Sequence, residues 1–175
     1  MRLFVAIDIP DDTQQQIAKL YCNFHNVQWS APERLHITLA FLGEVAEHQL
    51  PKVNEVLGKI HFTPFEIATT DFGSFKSGDI WFGVTPQEPI IQLHQLITER
   101  LTEAGLNFPS RRTFKPHITL AYTRKNEEHL VLNLLASRKT FASLSFRVEN
   151  FCLKSSWRKS TGALHRIEAV YPAKP

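Results

Sequence analysis

The pentapeptide His-Ile-Thr-Leu-Ala occurs twice in this chain, at 36–40 and at 117–121, 81 residues apart. Both copies lie in stretches with strand-like alternation, and each begins with a histidine. Identity over five residues at that separation points to a duplicated unit, a strand-and-helix half present twice. A chain so built is expected to fold as two related halves.

The spacing within each copy has a direct consequence. Side chains on a strand alternate between faces. His36 and Thr38 therefore share one face, with Ile37 and Leu39 on the other, and His117 and Thr119 stand likewise against Ile118 and Leu120. Each strand buries its aliphatics and offers an imidazole and a hydroxyl roughly 6–7 Å apart. A pseudo-twofold axis between the halves would bring both polar faces into one groove.

Two imidazoles and two hydroxyls suit chemistry at phosphorus. Imidazoles titrate near neutrality and serve as general acid and general base. The threonines can donate to non-bridging oxygens. None of the four is an adequate nucleophile without a dedicated base, which favours in-line attack by water or a substrate hydroxyl. One histidine would take the nucleophile's proton and the other would protonate the leaving oxygen, in either order as far as the residues tell. Other chemistries fit less well. No cysteine pair or His-Glu-x-x-His segment provides a zinc site, no Gly-x-Ser-x-Gly elbow occurs, and no glycine-rich nucleotide loop is present. No metal and no cofactor is expected. His25, His48, His61, His94, His129 and His165 are read as surface or packing residues.

Charge supports an anionic ligand. Residues 109–125 and 151–166 carry nine of the 20 Lys and Arg residues and no acid, against a net charge of only +3 for the 175-residue chain. Such concentration suggests an anion bound at one place. Cys22 and Cys152 are too few for a disulfide framework, and reduced thiols in the cytoplasm are expected. The opening stretch 1–10 is broken by Asp8 and reads as a first strand and not a signal peptide. No apolar run approaches the roughly 20 residues of a membrane helix.

The remaining pattern is α+β with mostly antiparallel strands and no linker. Strands are expected over 2–9, 34–42, 63–70, 71–76, 79–85, 117–122, 146–154 and 165–171, with Gly43 ending the second. Helices are expected over 12–24, 47–60, 89–104 and 127–136, the third opened by Pro89 and closed by Gly105.

At these residues the chain resembles the 2H phosphoesterases, a family with two His-x-Thr motifs in a bilobed α+β fold. Within it the chain is similar to the bacterial and archaeal RNA 2′,3′-cyclic phosphodiesterases, also called 2′-5′ RNA ligases. The likeness runs through the opening 2–10, the stretch 35–45, Phe-Lys-Pro-His-Ile-Thr-Leu at 114–120, and Ser155, Ser156 and Gly162 before the last strand. It implies one bilobed domain over 1–175, with two pseudo-symmetric halves, each an antiparallel sheet with helices, and an active-site groove between them. It implies hydrolysis of a terminal 2′,3′-cyclic phosphate to a 2′-phosphate without metal, and reversible ATP-independent 2′-5′ joining. The partners would be RNA with 2′,3′-cyclic phosphate ends or nucleoside 2′,3′-cyclic phosphates, met by a cytoplasmic monomer. His36 would be the proton donor, His117 the proton acceptor, and Thr38 and Thr119 the phosphate holders.

One position departs from the family pattern. Several relatives carry an arginine five residues after the second histidine, where this chain has Tyr122. A regular strand would put Tyr122 on the face of Leu120 and Arg124, away from the groove. Arg112, Lys115 or Arg158 would then supply the phosphate cation. Phe41, Arg112, Lys115, Tyr122, Arg124 and Arg158 are the candidate substrate contacts, and Phe41, Trp29 and Trp157 the candidates for stacking a base. A phosphodiesterase of 2′-5′ oligoadenylate or of small cyclic nucleotides, or a non-catalytic RNA-end binder, would use the same residues.

Overall fold

A computed structural model describes residues 1–109, 113–124, 126–137, 143–159 and 162–174, without the side chains of 158, 159 and 162. Its element order is β1 (Arg2–Asp8), α1 (Asp11–Ala18), β2 (Val27–Trp29), β3 (His36–Glu44), α2 (Leu50–Gly58), β4 (Phe65–Ser74) and β5 (Asp79–Thr85). There follow α3 (Glu88–Glu103), β6 (His117–Thr123), α4 (Glu128–Ser137), β7 (Ser145–Val148), β8 (Asn150–Lys159) and β9 (Gly162–Pro172). Among the described residues no helix is long and apolar enough to cross a membrane.

The strands form one curled antiparallel sheet in the order β7-β4-β5-β6-β3-β1-β8-β9, with β2 added beside β6. Its middle is the seam between halves, where β3 and β6 pair at Ile37 and Ile118. On one side lie β3, β1, β8 and β9, and on the other β6, β5, β4 and β7. α3 packs on β3 and α2 on α3, while α4 covers β4 and β5. Alternation explains the layering. Ile37, Leu39, Ile118 and Leu120 face the helices with at most 1% exposure. α3 inserts Ile90, Leu93, Ile97 and Leu101, its i, i+3, i+7, i+11 stripe, into the same core.

Several boundaries differ from the sequence expectation, each for a local reason. The first helix ends at Ala18 and not at 24. Its last two apolar positions serve the core from outside it: Tyr21 stacks on Trp29 at 4.7 Å, and Phe24 packs at the core's edge. β2, three residues long, is too short for its Val27-Gln28-Trp29 alternation to register as a period. Its Trp29 is held by an indole N–H donated to the Cys22 carbonyl at 2.8 Å. The strands expected at 63–70 and 71–76 are one strand, β4, with a bulge after Thr69. Gly83 lies opposite that bulge, and a Cβ there would stand 2.4 Å from Thr70 Oγ1. The strand expected over 146–154 is two, β7 and β8. Gly43 does not end β3. At φ +71 it continues the strand beyond a bulge at Leu42.

Candidate active site

The seam fixes the four motif side chains. In an antiparallel pair centred on Ile37 and Ile118, the next positions outward set His36 beside Thr119 and Thr38 beside His117. All four line one groove of about 840 Å³. The two histidines occupy a diagonal of this quartet. Diagonal positions across a strand pair lie about 7–8 Å apart, with the side chains somewhat closer.

Both imidazoles are oriented by the same device. His36 Nδ1 lies 2.6 Å from the Arg34 carbonyl and His117 Nδ1 lies 2.6 Å from the Lys115 carbonyl. A carbonyl only accepts, so each Nδ1 carries its proton and each Nε2 is left with the lone pair in the neutral ring. Thr38 Oγ1 stands 3.1 Å from His36 Nε2 and donates to it while that ring is neutral.

The residues two places before each histidine, Arg34 and Lys115, also line the groove. The repeated unit is thus cation-x-His-x-Thr. Arg34 is not among the candidates named from the sequence, although a cation at the same offset in both copies is a visible signal. Its Nη1 donates to the Ala163 carbonyl on β9 at 2.7 Å, and its Nε is enclosed without a partner among the described residues. Lys115 Nζ lies 4.0 Å above the Trp81 ring.

Beyond the threonines both strands bulge at the same place. On β3 the register passes from Thr38 opposite Ala6 to Ala40 opposite Val5, leaving Leu39 as the extra residue. On β6 it passes from Thr119 opposite Trp81 to Ala121 opposite Ile80, leaving Leu120. A one-residue bulge reverses which face the following residues take. Phe41 and Tyr122, each five residues past its histidine, are thereby turned into the groove. This corrects the expectation that Tyr122 points away with Leu120. Tyr122 is half exposed, and burial with Asp79 nearby raises its phenol pKa while Arg34 opposes the rise.

The other candidates divide. Lys115 and Trp29 line the groove, whereas Arg124 is exposed on the far side of the bulge and is not among the lining residues. Trp157 is 42% exposed, lies outside the lining, and is covered by Arg166 at 5.6 Å. Arg112 and the side chain of Arg158 lie outside the described residues.

The settings of the two histidines are not alike. His117 packs edge-on against Phe75 at 5.0 Å and lies 6.2 Å from Trp81. His36 packs against Phe4 at 5.1 Å and against His165 at 5.3 Å. Beneath it the buried Lys154 is paired with Asp8, the residue opposite His36 on β1. Burial pushes the His36 pKa down to about 4; the Arg34 carbonyl and Asp8 oppose this, and His165 and Lys154 add to it. His165 and His94, read from the sequence as packing residues, both line the groove. His94 stacks on Phe114 at 3.9 Å and donates from Nδ1 to the Leu39 carbonyl.

Residues 9–158 match the family model described as the 2′-5′ RNA ligase superfamily. An RNA 2′,3′-cyclic phosphodiesterase of Archaeoglobus fulgidus is 33% identical over 179 residues, 98% of this chain and 99% of that protein. A protein of the same name from Escherichia coli is 34% identical over 124 residues, 68% of this chain and 70% of that one. The crystal structure of E. coli LigT complexed with 3′-AMP superposes with a TM-score of 0.80 at 26% identity, over 99% of this chain and 98% of that one. Sequence match and sheet architecture agree over the same stretch that holds both histidine strands, and the chain belongs to the 2′-5′ RNA ligase superfamily.

Proposed function

We propose that the protein is an RNA 2′,3′-cyclic phosphodiesterase that opens a terminal 2′,3′-cyclic phosphate to a 2′-phosphate by paired acid and base catalysis. The observation that carries this reading is the quartet at the seam, two oriented imidazoles alternating with two hydroxyls around one point. Its relatives' names point to the same substrate.

In this reading His117 Nε2 takes a proton from water, water oxygen bonds to phosphorus, and the P–O3′ bond breaks. His36 Nε2–H gives its proton to O3′. The lone pair that Nδ1 anchoring leaves on His117 Nε2 suits the base. His36 is neutral near pH 7 by itself, so the negative charge of the phosphate is what favours its protonated, donating form. Protonation also frees the Thr38 hydroxyl from Nε2, and it can turn to a phosphoryl oxygen. Thr119 serves the other side, and Arg34 and Lys115 supply positive charge from the two ends. Phe41 and Tyr122 offer ring faces to the nucleosides flanking the phosphorus. With a 5′-hydroxyl in place of water the same steps join 2′-5′ linked ends, and run backwards they open that linkage to the cyclic phosphate.

Among the described residues both halves of the sheet line this groove, which supports residues 1–175 acting as a single bilobed unit, and a monomer is the form we infer. Cys22 and Cys152 are unpaired thiols, in keeping with the cytoplasm. Incubation of a 2′,3′-cyclic phosphate-ended oligonucleotide in EDTA, followed by mass spectrometry, tests the proposal. A mass gain of one water with a 2′-phosphate product supports it. An unchanged oligonucleotide bound with salt-dependent affinity makes the protein an RNA-end binder, and turnover confined to 2′-5′ oligoadenylate or small cyclic nucleotides changes the substrate.

A further inference from the structure

His165 has no part in the mechanism above, yet it stands in the groove. It lies on β9 opposite Ser156, and its ring completes a cluster with Phe4 and His36. Its centroid is 4.9 Å from Phe4 and 5.3 Å from His36, edge-on to both. Arg34 ties this wall down by donating to the carbonyl of Ala163, two residues earlier. The third imidazole is therefore held beside the first.

Its two nitrogens are in different situations. Nδ1 is enclosed and has no partner among the described residues. An enclosed N–H without an acceptor is rarer in proteins than an under-used acceptor. The charges nearby point the same way. Lys154 from β8 and Arg34 from the turn before β3 repel a further positive charge, and Asp8 of β1 is paired with Lys154. Burial and these two cations lower the His165 pKa, with Asp8 opposing. Arg34 Nε, the other enclosed unpartnered group of this wall, can only donate, and so favours a lone pair near it. A neutral ring with its lone pair at Nδ1 has its proton at Nε2. That is the opposite tautomer to His36 and His117, whose Nδ1 protons are held by carbonyls.

We propose that His165 is a fixed, neutral hydrogen-bond donor of the groove, giving its Nε2–H to a non-bridging phosphoryl oxygen held beside His36. His36 and His117 move protons, and His165 keeps its own. It meets negative charge as that charge grows on the phosphoryl oxygens, at no cost of reorganisation. The identity of the acceptor rests on the phosphodiesterase reading; the tautomer does not.

Nitrogen-15 NMR of the histidine-labelled full chain reads the tautomer directly. The expected result is Nε2–H for His165 at pH 7, and Nδ1–H for His36 and His117. An Nδ1–H signal for His165, or a charged ring at pH 7, overturns the proposal. His165→Phe keeps a ring against Phe4 and His36 but removes the donor, and His165→Gln restores one. For 2′,3′-cyclic AMP, kcat/KM should fall about 100–1,000-fold in the Phe variant and recover in part in the Gln variant. Parent-like kcat/KM in the Phe variant refutes the assignment. If the unaltered protein hydrolyses no cyclic phosphate, the phosphodiesterase reading fails by itself. Inorganic phosphate binding, expected to be weaker in His165→Phe and unchanged if the assignment is wrong, then decides the donor.

Discussion

Phe41 and Tyr122 occupy equivalent places in the two halves, each five residues past a groove histidine and each turned inward by a bulge at the leucine between. The seam runs through Ile37 and Ile118, so β3 carries Phe41 toward one end of the groove and β6 carries Tyr122 toward the other. A phosphorus on the axis would have one ring on either side. Base–aromatic stacking is worth about 1–3 kcal/mol. Phe41→Ala and Tyr122→Ala should each raise KM for a cyclic phosphate-ended oligonucleotide by about 5–100-fold with a smaller change in kcat. For nucleoside 2′,3′-cyclic phosphates, which fill one end only, a single one of the two variants should show the large effect. Steady-state kinetics on both substrates checks this. Equal, large kcat losses in both variants would mean that the rings support the quartet and do not hold bases.

Removing an acid or a base from such a site costs about 10²–10⁴ in rate. His36→Ala and His117→Ala should each lose that much kcat. Because the two act as a unit, the double variant should lose far less than the product of the single losses. Full activity of the parent in EDTA belongs to the same prediction, since all the proton transfers are assigned to side chains. An active double variant would remove the quartet from the chemistry.

The depressed pKa of His36 makes a prediction about stability. The unfolded chain binds a proton at this residue near pH 6.5, the folded one only near pH 4. Between those values the unfolded state holds more protons, so stability rises with pH and is lost as pH falls from about 6.5 toward 4. The ceiling on this contribution is about 3 kcal/mol, before allowance for the ring's partial exposure to solvent. His36→Gln should flatten the fall in urea midpoint between pH 6.5 and 4.5 relative to the parent. His165, lowered in the same direction, should leave part of the slope behind. Parallel curves for parent and variant would show that His36 titrates normally.

How much of this was legible in the residues can be seen at particular positions. The alternation of 36–40 and 117–121 is a local property, and the helix face, the groove face and the pairing of two imidazoles with two hydroxyls all followed from it. The stripe of α3 was equally plain. Bulges were not, because a bulge is a relation between a strand and its partner, and nothing in Leu39 or Leu120 alone announces one. The misreading of Tyr122 has that single cause. His165 was invisible for a different reason. It reaches His36 only because the sheet curls β9 across β1 and β8, 129 residues along the chain from its neighbour. Arg34 was the one missed residue with a signal, since Lys115 repeats its offset.

The ion pair beneath His36 supplies the last test. Lys154 is 4% exposed and its ammonium is paired with Asp8, whose side chain is 30% exposed. Lys154 holds the His36 pKa down and Asp8 holds it up, so the two charges oppose each other as seen from the imidazole. Lys154→Met leaves Asp8 uncompensated beside His36. Breaking a buried pair by removing one partner costs about 3–5 kcal/mol, and the exposed side of Asp8 places this case at the lower end. The unopposed carboxylate should also raise the His36 pKa and move the corresponding limb of the kcat/KM profile to higher pH. Asp8→Asn with Lys154→Met should restore much of the stability and return the limb toward the parent position, because both charges are then absent. Urea unfolding and pH–rate profiles on the three proteins decide it. A limb that stays fixed in Lys154→Met would show that the pair holds the sheet together without tuning the histidine above it.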